Sequence, residues 1–219
     1  LAEKYRNICI FMADSSVGQM MEPAELPDMR PLRTTTPDWA TDGWVNREQR
    51  ILTSILIDPA LEEIYNHKIL NTWYRIQANE IRYKEYYMDD AEFVVIGFGT
   101  AGRIALTAVR NARTEGIKVG LFRPISLSPF PFPQVEELVK FTKGILVTEM
   151  NTGQMLEDVK MAVKGRVPIE FYARLGGIVP YPDEILGEIR RLAHGPRSPD
   201  GDPRARWMQR LRDGVITLS

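Results

Sequence analysis

Between Glu92 and Pro133 the chain passes from a short apolar run through a glycine turn into a helix, and no other stretch limits its fold as tightly. Phe93-Val94-Val95-Ile96 reads as a buried strand. Gly97-Phe98-Gly99-Thr100-Ala101-Gly102 matches the pattern G-x-G-x-x-G, and Arg103 to Glu115 reads as a helix. A dinucleotide-binding unit has that order, because its glycines let a pyrophosphate approach the backbone and the helix start supplies amides. Its next strand should end on Asp or Glu, to hold a ribose hydroxyl. Here Val119-Gly120-Leu121-Phe122 runs into Arg123 and then Pro124-Ile125-Ser126-Leu127-Ser128-Pro129-Phe130-Pro131. An arginine can meet a ribose 2′-phosphate, but the proline-rich sequel is foreign to that fold, and a lone glycine fingerprint is a weak signal. Gly97, Gly99 and Gly102 also have an explanation without a cofactor, since a tight strand-to-helix turn needs glycine for backbone conformation and close contact. Thr100 can cap the helix it opens. The amides at that helix start can alternatively take an anion, such as a carboxylate from a neighbouring subunit.

The rest of the C-terminal half repeats strand and helix in turn. Strands are expected near 93–97, 118–122, 145–149 and 168–172, and helices near 101–115, 133–142, 153–163 and 183–193. Such alternation predicts an α/β domain with a mainly parallel sheet flanked by helices. Residues 195–206 read as a flexible polar connection and 204–212 as a short terminal helix. Upstream, Asn7 to Ala13 reads as a strand, followed by a polar turn at 14–16 and a short helix at Gly18 to Met21. Pro23, Pro27 and Pro31 then oppose regular helix. Residues 28–46 read as a linker whose Trp39 and Trp44 are too apolar for a free tether and should dock on a neighbouring domain or subunit. Asp58-Pro59 is a sound helix start, and apolar residues recur to Tyr87 at roughly helical spacing, which predicts a long amphipathic connecting helix.

Charge and cysteine usage remove several classes. Twenty-eight Lys+Arg against 29 Asp+Glu leave a net charge of −1 with no basic block, so a nucleic-acid footprint has no support. No apolar run approaches a membrane span, no signal peptide opens the chain, and a cytoplasmic protein is the default. The one cysteine, Cys9, excludes an internal disulfide and any iron–sulfur cluster supplied by this chain alone. His67 and His194 stand far apart, so no metal site is expected.

Polar residues at the ends of apolar runs are the candidates for ligand or subunit contact. Glu149, Asn151, Gly153 and Gln154 lie just beyond a strand's carboxyl end, where parallel α/β domains place functional groups. Capping of the next helix explains them equally well. Asp14 and Gln19 repeat that grammar near the start, with turn formation as the plain alternative. Arg123, at a strand end, can bind an acidic group through both nitrogens of its fork or bridge to Glu149 or Glu92. No catalytic residue is assigned.

Three motifs in order carry a resemblance. Arg123-Pro124-Ile125-Ser126-Leu127-Ser128-Pro129-Phe130-Pro131 after such a βαβ unit resembles the transketolase C-terminal-type domain of thiamine-diphosphate enzymes. Ile145-Leu146-Val147-Thr148-Glu149-Met150-Asn151-Thr152-Gly153-Gln154-Met155 resembles a segment of 2-oxoacid:ferredoxin oxidoreductases. Asp14-Ser15-Ser16-Val17-Gly18-Gln19-Met20-Met21-Glu22-Pro23 resembles the end of the preceding domain in their α subunits, with wording nearest the branched-chain, 2-oxoisovalerate type. The resemblance covers about residues 1–193. It implies a C-terminal part of a longer subunit: 1–30 the remnant of a pyrimidine-binding domain, 31–90 an interdomain linker with a long helix, 91–193 the transketolase C-terminal-like domain, and 194–219 a tail.

The family oxidatively decarboxylates a 2-oxoacid to an acyl-CoA and reduces ferredoxin, with thiamine diphosphate supplying the carbanion chemistry. The resemblance implies that a β subunit holds the diphosphate and magnesium, that γ and iron–sulfur subunits complete the complex, and that this chain alone binds no cofactor and is inactive. The glutamate that activates the thiamine has no match here. Two other functions stay open: an NAD(P)-dependent oxidoreductase using Gly97–Gly102, and a non-catalytic assembly domain.

Overall fold

A computed structural model describes residues 1–29, 31, 36–44, 46–196, 198 and 201–214. The expectations for residues 30, 32–35, 45, 197, 199, 200 and 215–219 lie outside the described residues. By contacts the chain divides into two units, residues 1–19 with 76–219, and residues 20–75.

Val94, Val95 and Ile96 have no exposed surface, as an apolar run covered on both faces must if it is the central strand of a parallel sheet. That strand is β2 (Phe93–Gly97). It has β3 (Val119–Pro124) on one side and β4 (Ile145–Glu149) on the other, both parallel to it. Strand β5 (Ile169–Ala173) continues the sheet parallel to β4, and β1 (Tyr83–Tyr86) closes the other end antiparallel to β3, giving the order β1-β3-β2-β4-β5. Helices α4 (Gly99–Thr114) and α7 (Pro182–His194) pack on each other, as do α5 (Phe132–Leu138) and α6 (Gln154–Val163). Ala105, Ala108, Val109 and Ala112 recur every three or four residues along α4 and are fully buried, as a helix face on a sheet requires. The expected α/β architecture with a mainly parallel sheet is therefore the observed one, and most element ends fall within two residues of expectation.

Three expectations change. The helix after Pro59, α3 (Pro59–Asn79), stops short of Tyr87, because Tyr83-Lys84-Glu85-Tyr86 takes the free edge of β3 instead. Tyr83 stacks on Phe122 with ring centroids 5.0 Å apart. No residue of α3 is fully buried: Leu61, Ile64 and Ile69 are exposed, while Trp73 and Ile76 are half-buried, so only the C-terminal part of the apolar stripe read from the sequence is covered. Asn7 to Ala13 forms no strand, and Ile8, Ile10, Phe11 and Met12 are exposed. A lone extended segment holds no ladder without a neighbour, and none pairs with it among the described residues. The region after His194 is less open than its polarity suggests: α8 (Ala205–Arg212) buries Trp207, whose ring lies edge-on to Phe171 and whose Nε1–H donates to Ala173 O at 2.8 Å. In the second unit Trp44 is exposed and Trp39 half-buried.

At the N-terminus α1 (Ala2–Tyr5) is tied to the chain after α3. Lys4 Nζ and the Tyr5 hydroxyl both donate to Glu80 Oε1, at 2.6 and 2.7 Å. The bond from Lys4, then that from Tyr5, hold the Glu80 carboxyl down at about 2. A carboxyl depressed in the folded state stabilises it fully above its ordinary value near 4.5, and that contribution is lost as pH falls towards the folded value. The protection factors of the Tyr5 and Asn7 amides, which donate to Leu1 O and Ala2 O, are therefore expected to fall between pH 4.5 and 2 and to be low at all pH values in Glu80→Gln. Protection of these amides unchanged down to pH 2 would contradict the clasp.

Candidate functional site

The order of the strands places a switch point at the carboxyl ends of β2 and β4, since the chain leaves β2 towards β3 and leaves β4 towards β5. Ligands of open parallel sheets bind at such a crevice. Gly97 at the end of β2 is in register with Thr148 on β4, so the Gly97–Gly102 turn and the Glu149–Gln154 loop lie side by side.

Packing explains the glycine turn. A Cβ on Gly102 would lie 2.8 Å from the carbonyl carbon of Gly97 and closer still to its oxygen, and a Cβ on Gly97 would meet Gly102 Cα at 3.2 Å. The two glycines let α4 start directly against β2. Gly99 has φ +53 with open space beside it, so its conformation, not crowding, calls for glycine. The cap is Phe98, without a side-chain bond. Thr100 lies inside the first turn, and its hydroxyl donates to Asp14 Oδ2. The Asp14 carboxylate also accepts from Val17 N–H at 2.8 Å, at the start of α2 (Ser15–Gln19). The bond from Thr100 first, then that from Val17, lower its pKa. The carboxylate at the α4 start thus comes from this chain. Gln19, the last residue of α2, is exposed.

Arg123 ends half-buried, with its Cγ 3.3 Å from the Cβ position of Gly102. Neither bridge considered for it forms: Glu92 pairs with Lys118 and Lys143, and Glu149 turns to α6. Glu149 is fully buried and accepts from Met155 N–H at 3.0 Å and Leu156 N–H at 2.9 Å. Burial pushes its carboxyl up, against the two amide bonds that hold it down. Asn151 Oδ1 accepts from Gly153 and Gln154 N–H at 2.8 and 2.9 Å. The loop therefore directs two acceptor side chains at the α6 start, where the helix dipole favours them. Gln154 is exposed, while Gly153 is buried at φ +100.

Arg204 was not legible as part of this loop. It donates to Thr152 O and Gly153 O, both at 2.9 Å, and pairs with Glu157 at 2.7 Å. Nothing in a sequence separation of 50 residues announces such a contact. The structure thus gathers Asp14 and Arg123 at one turn, and Glu149, Asn151, Gly153 and Gln154 at the next.

Chemically, these groups hold helix ends. Among the described residues no three of His, Cys, Asp and Glu are placed to hold a metal ion, and the residues here do not fit a magnesium–diphosphate group, so no thiamine step is derived from this chain. No described helix is long and apolar enough to cross a membrane.

Comparison with known proteins agrees with this architecture. Residues 91–185 match the family described as pyruvate:ferredoxin oxidoreductase core domain II. The chain is 40% identical over 195 residues to ketoisovalerate oxidoreductase subunit VorB of Methanothermobacter thermautotrophicus, and 39% identical over 193 residues to that of Methanothermobacter marburgensis. Each alignment covers 88% of this chain and 54% of the relative, so the chain spans about half the length of the curated relatives it matches. A 2-oxoglutarate:ferredoxin oxidoreductase from Magnetococcus marinus, solved with 2-oxoglutarate, coenzyme A and succinyl-CoA bound, shares the fold at TM-score 0.59 and 21% identity, over 70% of this chain and 28% of that one. Through the core domain at residues 91–185 and over most of its length, the chain is therefore similar to 2-oxoacid oxidoreductase subunits, those named for ketoisovalerate among them.

Proposed function

We propose that this chain is the α-subunit portion of a thiamine-diphosphate-dependent enzyme that converts a 2-oxoacid, 2-oxoisovalerate in the first instance, to its acyl-CoA and reduces ferredoxin. The carrying observation is the 39–40% identity to two ketoisovalerate oxidoreductase subunits over 88% of the chain. The dinucleotide alternative loses support, because packing explains the glycine turn and Asp14 lies on it.

In this reading a β subunit holds thiamine diphosphate and magnesium, and γ and iron–sulfur subunits carry electrons to ferredoxin. Cys9 alone can complete no cluster. Residues 1–30 end a pyrimidine-binding domain, 31–90 link it, 91–193 form the transketolase C-terminal-like domain, and 194–219 follow as a tail. Trp44, exposed in this chain, docks on a neighbouring domain or subunit, and the cytoplasm is the compartment. The loops at the carboxyl edge make subunit contacts, since their polar groups already hold helix ends and leave no acid–base pair for chemistry. Native mass spectrometry of the assembly purified from its source tests this directly. Thiamine, iron and at least one further oxidoreductase subunit are expected to travel with the chain. Recovery of the chain alone, or with a nicotinamide nucleotide, would overturn the reading.

A further inference from the structure

The strand order puts β5 last in the sheet. Arg174 N–H points inward, to Glu149 O at 3.3 Å, so the carbonyl of Ala173 in the same trans peptide points outward. An open sheet edge of this kind is a liability that a helix or loop can cover. Here α8 covers it, beyond the core-domain match that ends at residue 185. Arg204, Trp207 and Arg210 recur every three residues and so share one side of the helix. Trp207 is 3% exposed and anchors on Phe171 and Ala173 O. Arg210 pairs with Glu188 on α7, a buried carboxylate that also takes Arg191 at 2.8 Å. Arg204, at the α8 start, reaches the loop between β4 and α6.

That last contact is closely fitted. Arg204 donates to Thr152 O and Gly153 O, pairs with Glu157 and lies 5.8 Å from the centre of the Phe171 ring. A Cβ on Gly153 would stand 2.7 Å from Nη2 of Arg204 and 3.0 Å from its Nε, so the guanidinium packs directly on the Gly153 backbone. The N–H groups of Gly153 and Gln154 go to Asn151. The loop's amides are thus held by its own side chain, and two of its carbonyls by the C-terminal helix.

We propose that α8 is a latch: seated on the β5 edge, it sets the shape of the Asn151–Gln154 loop at the switch point, and lifting it frees that loop while the sheet stays intact. The latch goes beyond the oxidoreductase reading and does not depend on it. A neighbouring chain that took the β5 edge in place of α8 would reshape a loop it need not touch. The test is hydrogen exchange by NMR on the full chain. Trp207 makes its bond and its ring contact on β5, yet Trp207→Ala is expected to lower the protection of the Gly153 and Gln154 amides along with that of Met208 in α8, each at least about tenfold. Val95 and Leu146 in the sheet should keep theirs. Trp207→Phe keeps a ring, loses the Nε1–H bond and should lower the same amides roughly threefold to tenfold, and it carries the test if Trp207→Ala fails to fold. Because Arg204 transmits the effect, Arg204→Gln should loosen the loop by itself, and a Trp207 substitution added to it should loosen the loop no further. Unchanged protection at Gly153 and Gln154 in a folded Trp207 variant, a loss shared equally by Val95 and Leu146, or Arg204 and Trp207 effects that simply add would overturn the latch and leave α8 a passive cover.

Discussion

Gly102→Ala is expected to cost about 3 kcal/mol or more, or to prevent folding, because its methyl group would meet the backbone of Gly97 and not a side chain that can swing away. The only relief is to lift the start of α4 off β2, which opens the centre of the sheet. Gly99→Ala should behave differently. Its Cβ would enter open space, so the cost is that of a left-handed conformation, about 1–2 kcal/mol. Urea unfolding of both variants gives the order directly. A dinucleotide site predicts another pattern, in which Gly99 governs binding because the pyrophosphate approaches there. Calorimetric titration with NAD(H) and NADP(H) is therefore expected to show no saturable heat. Micromolar binding abolished by Gly99→Val would reinstate the nicotinamide reading.

The second large effect is expected at Glu149. Glu149→Ala strands two buried amides, those of Met155 and Leu156. An unsatisfied buried donor costs about 1–3 kcal/mol, so the loss should be roughly 2–5 kcal/mol. Glu149→Gln keeps one acceptor and should lose less. The two substitutions also separate in pH dependence. Burial raises the carboxyl of Glu149, and a raised carboxyl contributes stability that is present below its unfolded value and lost as pH rises through the folded one. Wild-type stability should therefore carry a decline above pH 4.5 that Glu149→Gln lacks. Unfolding midpoints at several pH values measure it, and identical profiles would show that Glu149 is already satisfied in its charged form.

Much of this was legible because the strands are short apolar runs and each is followed by glycine, proline or a polar turn. Val94 to Ile96 could only be a buried strand, and Gly97 and Gly102 announced a close strand–helix approach. The polar edges were legible only as candidates. Glu149 and Asn151 have the same residue types whether they cap a helix or meet a ligand, and only the placement of the α6 amides separates the two. Contacts between distant positions, such as Arg204 with Gly153 or Asp14 with Thr100, depend on how the chain returns to the sheet edge. The misread segments share one cause. Asn7 to Ala13 and the stripe on α3 have the right local pattern, but the state of an apolar segment is set by what it can pack against. Tyr83 to Tyr86 shows the converse, a short alternating run recruited into a strand by an available edge.

The central claim, that this chain works as part of a 2-oxoacid oxidoreductase assembly, is tested most directly by turnover. The complex containing the chain and, separately, the isolated chain are each given 2-oxoisovalerate, coenzyme A, thiamine diphosphate and magnesium, and viologen reduction is followed. The expected result is coenzyme A-dependent reduction by the complex and none by the isolated chain. Robust reduction by the chain alone, or a complex that reduces viologen with no 2-oxoacid, would contradict it.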